Sequence, residues 1–342
     1  MNKLWLKGFF SLLLLPFVAC NNESGPKKED IRITADTLSV IYSKEGRYVA
    51  FCDATKFEGK YYCVFREGEN HAAYHDWHKN GFLKIMSSKD LINWSEELEI
   101  KDENWDLRDP CFCVVGKCIY LYYGYYSFAT PYPPHKTGVS VLELDKGKLC
   151  VKKTEKIDIG SYSYYWLWKV YYDGSQFYGA TYDVESPLLY VTSKDGIHFN
   201  KKSEIVVKGD ETSLEIIHDK RIVAVIRNIT AQGNALLAIS QPPYDSWISY
   251  ELNEMIESPE SFIYNDEIYV LGRSKYGMSM FKIDIERKEA IPVYNFFAYG
   301  GYGDCGYPGV ILEDNNLTVI YYAVNPSTEK TTIYQTKLSF TP

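Results

Sequence analysis

Four things are scarce in this chain of 342 residues, and each scarcity removes a class of function. No apolar stretch approaches the roughly 20 residues that a membrane-spanning helix needs; the run Phe9–Val18 stops well short of it. Basic runs are absent, and 45 Asp and Glu outnumber 37 Lys and Arg for a formal net charge of −8. That balance argues against nucleic acid as a partner. None of the eight cysteines falls in C-x-x-C spacing, so no metal and no other cofactor is expected. Helical periodicity is almost missing. Short runs of Val, Ile, Tyr and Phe alternate with Gly, Asn and Asp turns, which is the pattern of an antiparallel meander.

What the chain has instead is repetition. Six times a strand, a two- or three-residue turn and a second strand return. Four copies are clear, starting at Asp109, Ser213, Glu260 and Tyr307, and two are looser, starting at Phe51 and Tyr165. A period of about 40–55 residues built only from strands is a propeller blade, so an all-β, six-bladed β-propeller is predicted, filling residues 31–342 as one domain. The strand Ile31–Ile41 is expected to complete the last sheet and close the ring. Third strands follow at Phe82–Ser87, Val139–Leu144, Leu188–Thr192, Leu236–Ser240, Met278–Ile283 and Thr332–Leu338. Two of them run into near-identical Ser-Lys-Asp turns at Ser88 and Ser193, read as structural devices far from the axis.

In a propeller the strand ends converge on the axis. Counting six residues past the turn positions Lys60, Lys117, Arg221, Glu267 and Asn316 reaches Arg66, Tyr123, Arg227, Arg273 and Tyr322. Three guanidinium groups at one repeat position form an anion- or sugar-binding cluster, since arginine binds carboxylates through paired N–H groups. Arg108 belongs to the same rim. So do the carboxylates Asp109, Glu211, Glu260 and Asp304 at the first-strand starts, and two carboxylates across a pocket suit glycoside hydrolysis. The loop Glu67–His78 carries His71, His75 and His78, half of the six histidines. His71 and His78 are candidates for contacts to substrate.

The first 30 residues lie apart from this pattern. Lys3 and Lys7 precede the apolar run, and Phe17-Val18-Ala19-Cys20 is similar to the lipobox of bacterial lipoproteins. The resemblance implies a signal peptide over 1–19, lipid on Cys20 and a polar tether over 20–30. The protein is then held at the cell envelope by a lipid anchor alone, as a monomer. Wild-type protein is expected in the membrane fraction and Cys20→Ser in the soluble fraction; soluble wild-type protein would count against the reading. The other seven cysteines, Cys52, Cys63, Cys111, Cys113, Cys118, Cys150 and Cys305, are read as buried thiols ahead of disulfides such as Cys52–Cys63.

Two segments and the Ser-x-Asp turns carry a wider resemblance. The turns resemble shortened Asp boxes of the sialidase superfamily. Glu211-Thr212-Ser213-Leu214-Glu215, running to Arg227-Asn228, resembles the sialidase segment in which a Glu opens one strand and Arg-Asn ends its partner. Cys305-Gly306-Tyr307-Pro308-Gly309 is similar to the last-blade segment with the nucleophilic tyrosine. The resemblance implies an exo-glycosidase acting on glycans with an acidic sugar, with Tyr307 as nucleophile, Glu211 as its base and Asp76 as acid/base. Arg227 and Arg273 would hold the substrate carboxylate. Phe51-Cys52-Asp53-Ala54 stands where that family keeps its first arginine. Three other readings stand beside this one. The Arg108-Asp109-Pro110 and Glu257-Ser258-Pro259 pieces resemble five-bladed furanosidase-type propellers. A uronate lyase would use arginine with His or Tyr. A surface glycan-binding lipoprotein would keep the pocket for capture alone.

Overall fold

The computed structural model describes residues 32–341 apart from 36–37, 73–80, 128–132, 184, 206–207, 231–232, 297–302 and 326–329. Six antiparallel sheets form the ring, which settles the blade number at six against five. The first four are four-stranded. They comprise β3 (Tyr48–Phe57), β4 (Lys60–Gly68), β5 (Phe82–Ser88) and β6 (Trp94–Ile100); then β7 (Asp106–Val115), β8 (Cys118–Tyr126), β9 (Thr137–Asp145) and β10 (Lys148–Lys156). Next come β11 (Trp166–Tyr172), β12 (Phe177–Tyr182), β13 (Leu188–Ser193) and β14 (Phe199–Ile205), followed by β15 (Gly209–Ile216), β16 (Ile222–Asn228), β17 (Leu236–Ser240) and β18 (Ile248–Glu251). The fifth blade holds β19 (Glu257–Tyr264), β20 (Glu267–Ser274), β21 (Gly277–Asp284) and β22 (Glu289–Asn295). The sixth joins β23 (Cys305–Glu313), β24 (Asn316–Asn325) and β25 (Lys330–Thr341) to β1 (Arg32–Ala35) and β2 (Ser39–Tyr42). Both N-terminal strands pair with β25, so the ring closes as anticipated.

Each sheet is apolar on both faces because it packs against a neighbour on each side, and one hydrophobic cluster fills each of the six gaps. Val64, Leu83 and Ile85 of the first blade meet Leu121 and Leu142 of the second. Val49, Phe65 and Met86 meet Ile320 and Ile333 of the sixth, which completes the circle. The two Ser-Lys-Asp turns are superimposable in their bonding. The Ser88 and Ser193 hydroxyls accept the amides two and three residues on, and Asp90 and Asp195 accept the next two. Among the described residues no helix is long and apolar enough to cross a membrane. All seven described cysteines are free thiols, five of them buried, and Cys52 and Cys63 are not bridged.

Candidate active site

The site is made by a defect repeated six times. In every innermost strand the ladder slips near its start. The slips lie between Ala50 and Asp53, Arg108 and Cys111, Leu167 and Lys169, Gly209 and Thr212, Glu257 and Glu260, and Gly306 and Gly309. These are β-bulges, which turn a side chain out of the sheet's alternation. Phe51, Asp109, Ser258 and Tyr307 open four of them with φ of 57°, 50°, 49° and 48°, a left-handed backbone that costs a non-glycine residue about 1–3 kcal/mol. The residues freed from the ladder are those that meet near the axis.

Three bulges are tied to one another. The Ser258 amide donates to Glu211 Oε2 at 2.7 Å, and the Ser258 hydroxyl accepts the Tyr307 amide at 3.0 Å. The Tyr307 hydroxyl donates to Glu211 Oε1 and closes the circuit. Tyr307 is walled by the rings of Phe51 at 4.8 Å and Trp168 at 5.9 Å. Burial, then Asp109 and Glu211, pushes its phenol well above the ordinary range, so the proton stays on oxygen.

Around this pair stand arginines and acids. Arg227 lies 3.4 Å from Asp210, 3.3 Å from Glu211 and 3.5 Å from Glu257. Arg273 donates from Nε to Glu257 at 2.7 Å and lies 3.9 Å from Asp304. Asp304 also accepts from Tyr48 at 2.5 Å and Tyr322 at 2.8 Å. Arg108 sits 4.6 Å over the Phe51 ring and 4.9 Å over Tyr126, a cation–π clasp, with Nε 3.6 Å from Asp109 Oδ1. Those two buried atoms, Arg108 Nε and Asp109 Oδ1, have no hydrogen-bond partner, nor has Arg227 Nε. Groups left unsatisfied at one place are what a polar ligand would complete.

His71 completes the rim. The Tyr48 hydroxyl spends its proton on Asp304, so the 2.8 Å contact to His71 Nδ1 makes that nitrogen the donor. His71 Nε2 then accepts from Arg108 Nη2 at 3.3 Å. Lost hydration and the Arg108 charge push its pKa down to about 4, so the ring is neutral near pH 7.

Some anticipated residues are elsewhere. Arg66 is fully buried and bonds Asp106 twice, each contact at 2.6 Å, and donates to the Asn70 carbonyl at 2.9 Å. Gly68 and Gly81 enclose it so closely that a Cβ on either would lie 2.7 Å or 2.2 Å from the guanidinium. It is a tie between the first two blades, and Arg108 takes the third place in the cluster. Tyr123 is buried between blades with its hydroxyl on Ser140. Glu260 lies beyond the Ser258-Pro259 bulge, bonded to the Lys169 ammonium deeper on the axis, and Glu257 holds the rim position instead. Asp76, His78 and Cys20 lie outside the described residues. The readings above did not single out Asp210, Tyr48 or Trp168, and named Glu257 only within the furanosidase-like Glu257-Ser258-Pro259 piece.

Burial raises several of these acids above the ordinary carboxylate range. Asp109 is raised to about 6 by burial, against the pull of Arg108. Asp210 is raised to about 7 by burial and by Glu211, and Glu215, deeper on the axis, to about 8 by burial and by Glu260. Each binds a proton in the fold at a pH where the unfolded chain, with carboxylates near 4, has released it. Stability from them is whole below about pH 4 and is lost as pH rises through 6 to 8. The urea midpoint is therefore expected to fall from pH 5.5 to pH 8.5, and less steeply in Glu215→Gln. A flat profile, or an unchanged slope in the variant, would contradict this.

Comparison with known proteins adds the fold and little else. No protein-family model matches the sequence, and no curated protein does. A crystal structure of a protein of unknown function from Dyadobacter fermentans is similar at a TM-score of 0.74 and 17% identity, covering 90% of this chain and 99% of that one. Phage phi92 endosialidase is similar at 0.64 and 10% identity, over 90% and 69% of the two chains. Trypanosoma rangeli sialidase in complex with the inhibitor DANA is similar at 0.61 and 10%, over 85% and 55%. The six-bladed propeller is thus an architecture this chain shares with sialidases.

Proposed function

We propose that the protein is a glycoside hydrolase in which the Tyr307 hydroxyl is the nucleophile and Glu211 its general base. The observation that carries this reading is the part-buried hydrogen bond from Tyr307 to Glu211, held in place by Ser258. A phenol kept protonated by burial cannot wait as a phenolate, so its proton must leave as the oxygen attacks, and Glu211 is the acceptor in contact. The bond from phenolic oxygen to the anomeric carbon forms as the bond to the leaving oxygen breaks, and that oxygen takes a proton from a carboxylic acid. Water then releases the sugar from Tyr307, and the protons return to their starting places. The resemblance to sialidases assigns the acid to Asp76. Asp109, raised to about 6 beside Tyr307, is the second candidate. The lipobox-like segment ending at Cys20 adds a cell-envelope location to the proposal.

A uronate lyase on the same face has less support. Its base would need a free lone pair, and His71 gives its lone pair to Arg108 and its N–H to Tyr48. A screen of acidic and neutral glycans separates the readings. Reducing sugar without new ultraviolet absorbance means hydrolysis, an absorbing unsaturated product means elimination, and binding without turnover means capture. Asp76→Asn and Asp109→Asn then identify the acid. The variant that lost it keeps turnover on nitrophenyl glycosides, whose leaving group needs no proton, and loses it on natural glycans.

A further inference from the structure

We infer that the sugar bound beside Tyr307 is uncharged, because the carboxylate of Glu257 already fills the position between Arg227 and Arg273. The inference rests on the hydrolase reading for where the sugar sits, and names its class. Two arginines facing one point invite an anion, but here the chain supplies it. Glu257 Oε2 accepts from Arg273 Nε at 2.7 Å, and Oε1 lies 3.5 Å from Arg227 Nε. Glu257 and Arg273 are direct partners in the β19–β20 ladder, and Glu257 is 7% exposed, so the carboxylate is held between the two arginines.

The wider charge balance agrees. Among the described residues the rim carries Arg108, Arg227, Arg273 and Lys136 against Asp109, Asp210, Glu211, Glu257 and Asp304. With Asp210 counted as protonated and Asp109 as ionised near pH 7, four cations still face four carboxylates, so none is left in excess for a substrate carboxylate, which would stand against Glu257 and Glu211 in a site of low dielectric. Phe51, at the first-blade bulge, is 1% exposed and packs against Arg108, Tyr307 and Tyr322, so that bulge adds an apolar side chain and no further cation. The arginines then act as donors to hydroxyl groups and hold Glu211 and Glu257 in position.

The test uses the whole protein with two sets of probes. Nitrophenyl glycosides of uncharged hexoses, deoxyhexoses and N-acetylhexosamines are compared with those of glucuronic and N-acetylneuraminic acid. The matching free sugars are titrated by calorimetry. The expected result is turnover of an uncharged glycoside that is lost in Tyr307→Phe, with carboxylated sugars bound about a hundredfold or more weaker. Turnover confined to carboxylated glycosides and lost in Tyr307→Phe would keep the hydrolase reading and overturn this inference. Without any turnover the hydrolase reading fails, and calorimetry decides the inference alone. Tighter binding of uncharged sugars upholds it; tighter binding of carboxylated ones, or binding of neither class, overturns it. Glu257→Gln should raise affinity for the carboxylated sugars at least tenfold, and an unchanged affinity in a folded variant would remove Glu257 from the argument.

Discussion

Tyr307→Phe is expected to lose at least about 10³-fold in kcat while the dissociation constant for the free product sugar changes by less than about threefold. The split follows from geometry. The hydroxyl is the only part removed, and its one side-chain hydrogen bond among the described residues is to Glu211, whereas the ring keeps its places against Phe51, Trp168 and Tyr322. Glu211→Gln should cost less, about 10²–10⁴-fold, because removing a base leaves a nucleophile that still reacts slowly. Burst kinetics with a nitrophenyl substrate, or trapping with a fluorinated sugar, would show a covalent adduct on Tyr307. Full activity in Tyr307→Phe would end the proposal and make Tyr48, whose hydroxyl donates to Asp304, the next hydroxyl to test.

The other large effect is on stability. Arg66→Met should lower the free energy of unfolding by about 3–5 kcal/mol, because it removes both charge-assisted bonds that Arg66 makes to the fully buried Asp106 carboxylate. The companion Asp106→Leu should cost a similar amount. The double replacement should recover much of the loss, since it removes both members of the buried charge pair together. Urea titrations of the four proteins give the coupling directly, and additive losses would show that the two residues act independently. None of the three changes is expected to alter ligand affinity in the folded protein, which distinguishes Arg66 from Arg227 and Arg273.

The blades were legible in the sequence because their causes are local. Turn residues such as Gly116, Asp219 and Asn265 sit between apolar runs, and these mark where each strand ends. The ends of the strands were harder to read for one physical reason. Counting residues along a strand assumes an unbroken alternation, and each innermost strand breaks it with a bulge. Arg66, Arg273 and Tyr322 pair with the residue just before the slip, whereas Arg227 and Tyr123 fall beside it. Register alone does not sort them, because Arg66 shares its place with Arg273, and Tyr123 shares its place with Arg227; the partners Asp106 and Ser140 hold Arg66 and Tyr123 away from the rim. The same slip moves Glu260 off the rim and puts Glu257 on it. A signal was present in Pro110, Pro259 and Pro308, which lie inside innermost strands where a ladder N–H would be needed. Proline is tolerated in a sheet at a bulge, so these three mark the bulges that carry Asp109, Ser258 and Tyr307. Tyr307 and Glu211 were reached by another route, from segments whose composition resembles sialidase motifs. Nothing local announces that Asp106, 40 residues away, claims Arg66.

The closure of the sixth blade bears on biosynthesis. Arg32 pairs with Thr341, and the Thr341 hydroxyl donates to the Arg32 carbonyl across 309 residues. Strands β1 and β2 have β25 as their ladder partner, so as the chain leaves the ribosome they wait for nearly the whole of it to follow. Until then Ile33 lacks the Phe340 and Leu338 surface it packs beside, and the β23–β3 seam that shelters Tyr307 is open. A product released early, or clipped before β25, would lose both the fastening of the ring and the walls of the pocket together. Only full-length translation products would then carry an assembled site, and fragments would present unpaired strand edges of the kind that degradation machinery and chaperones bind.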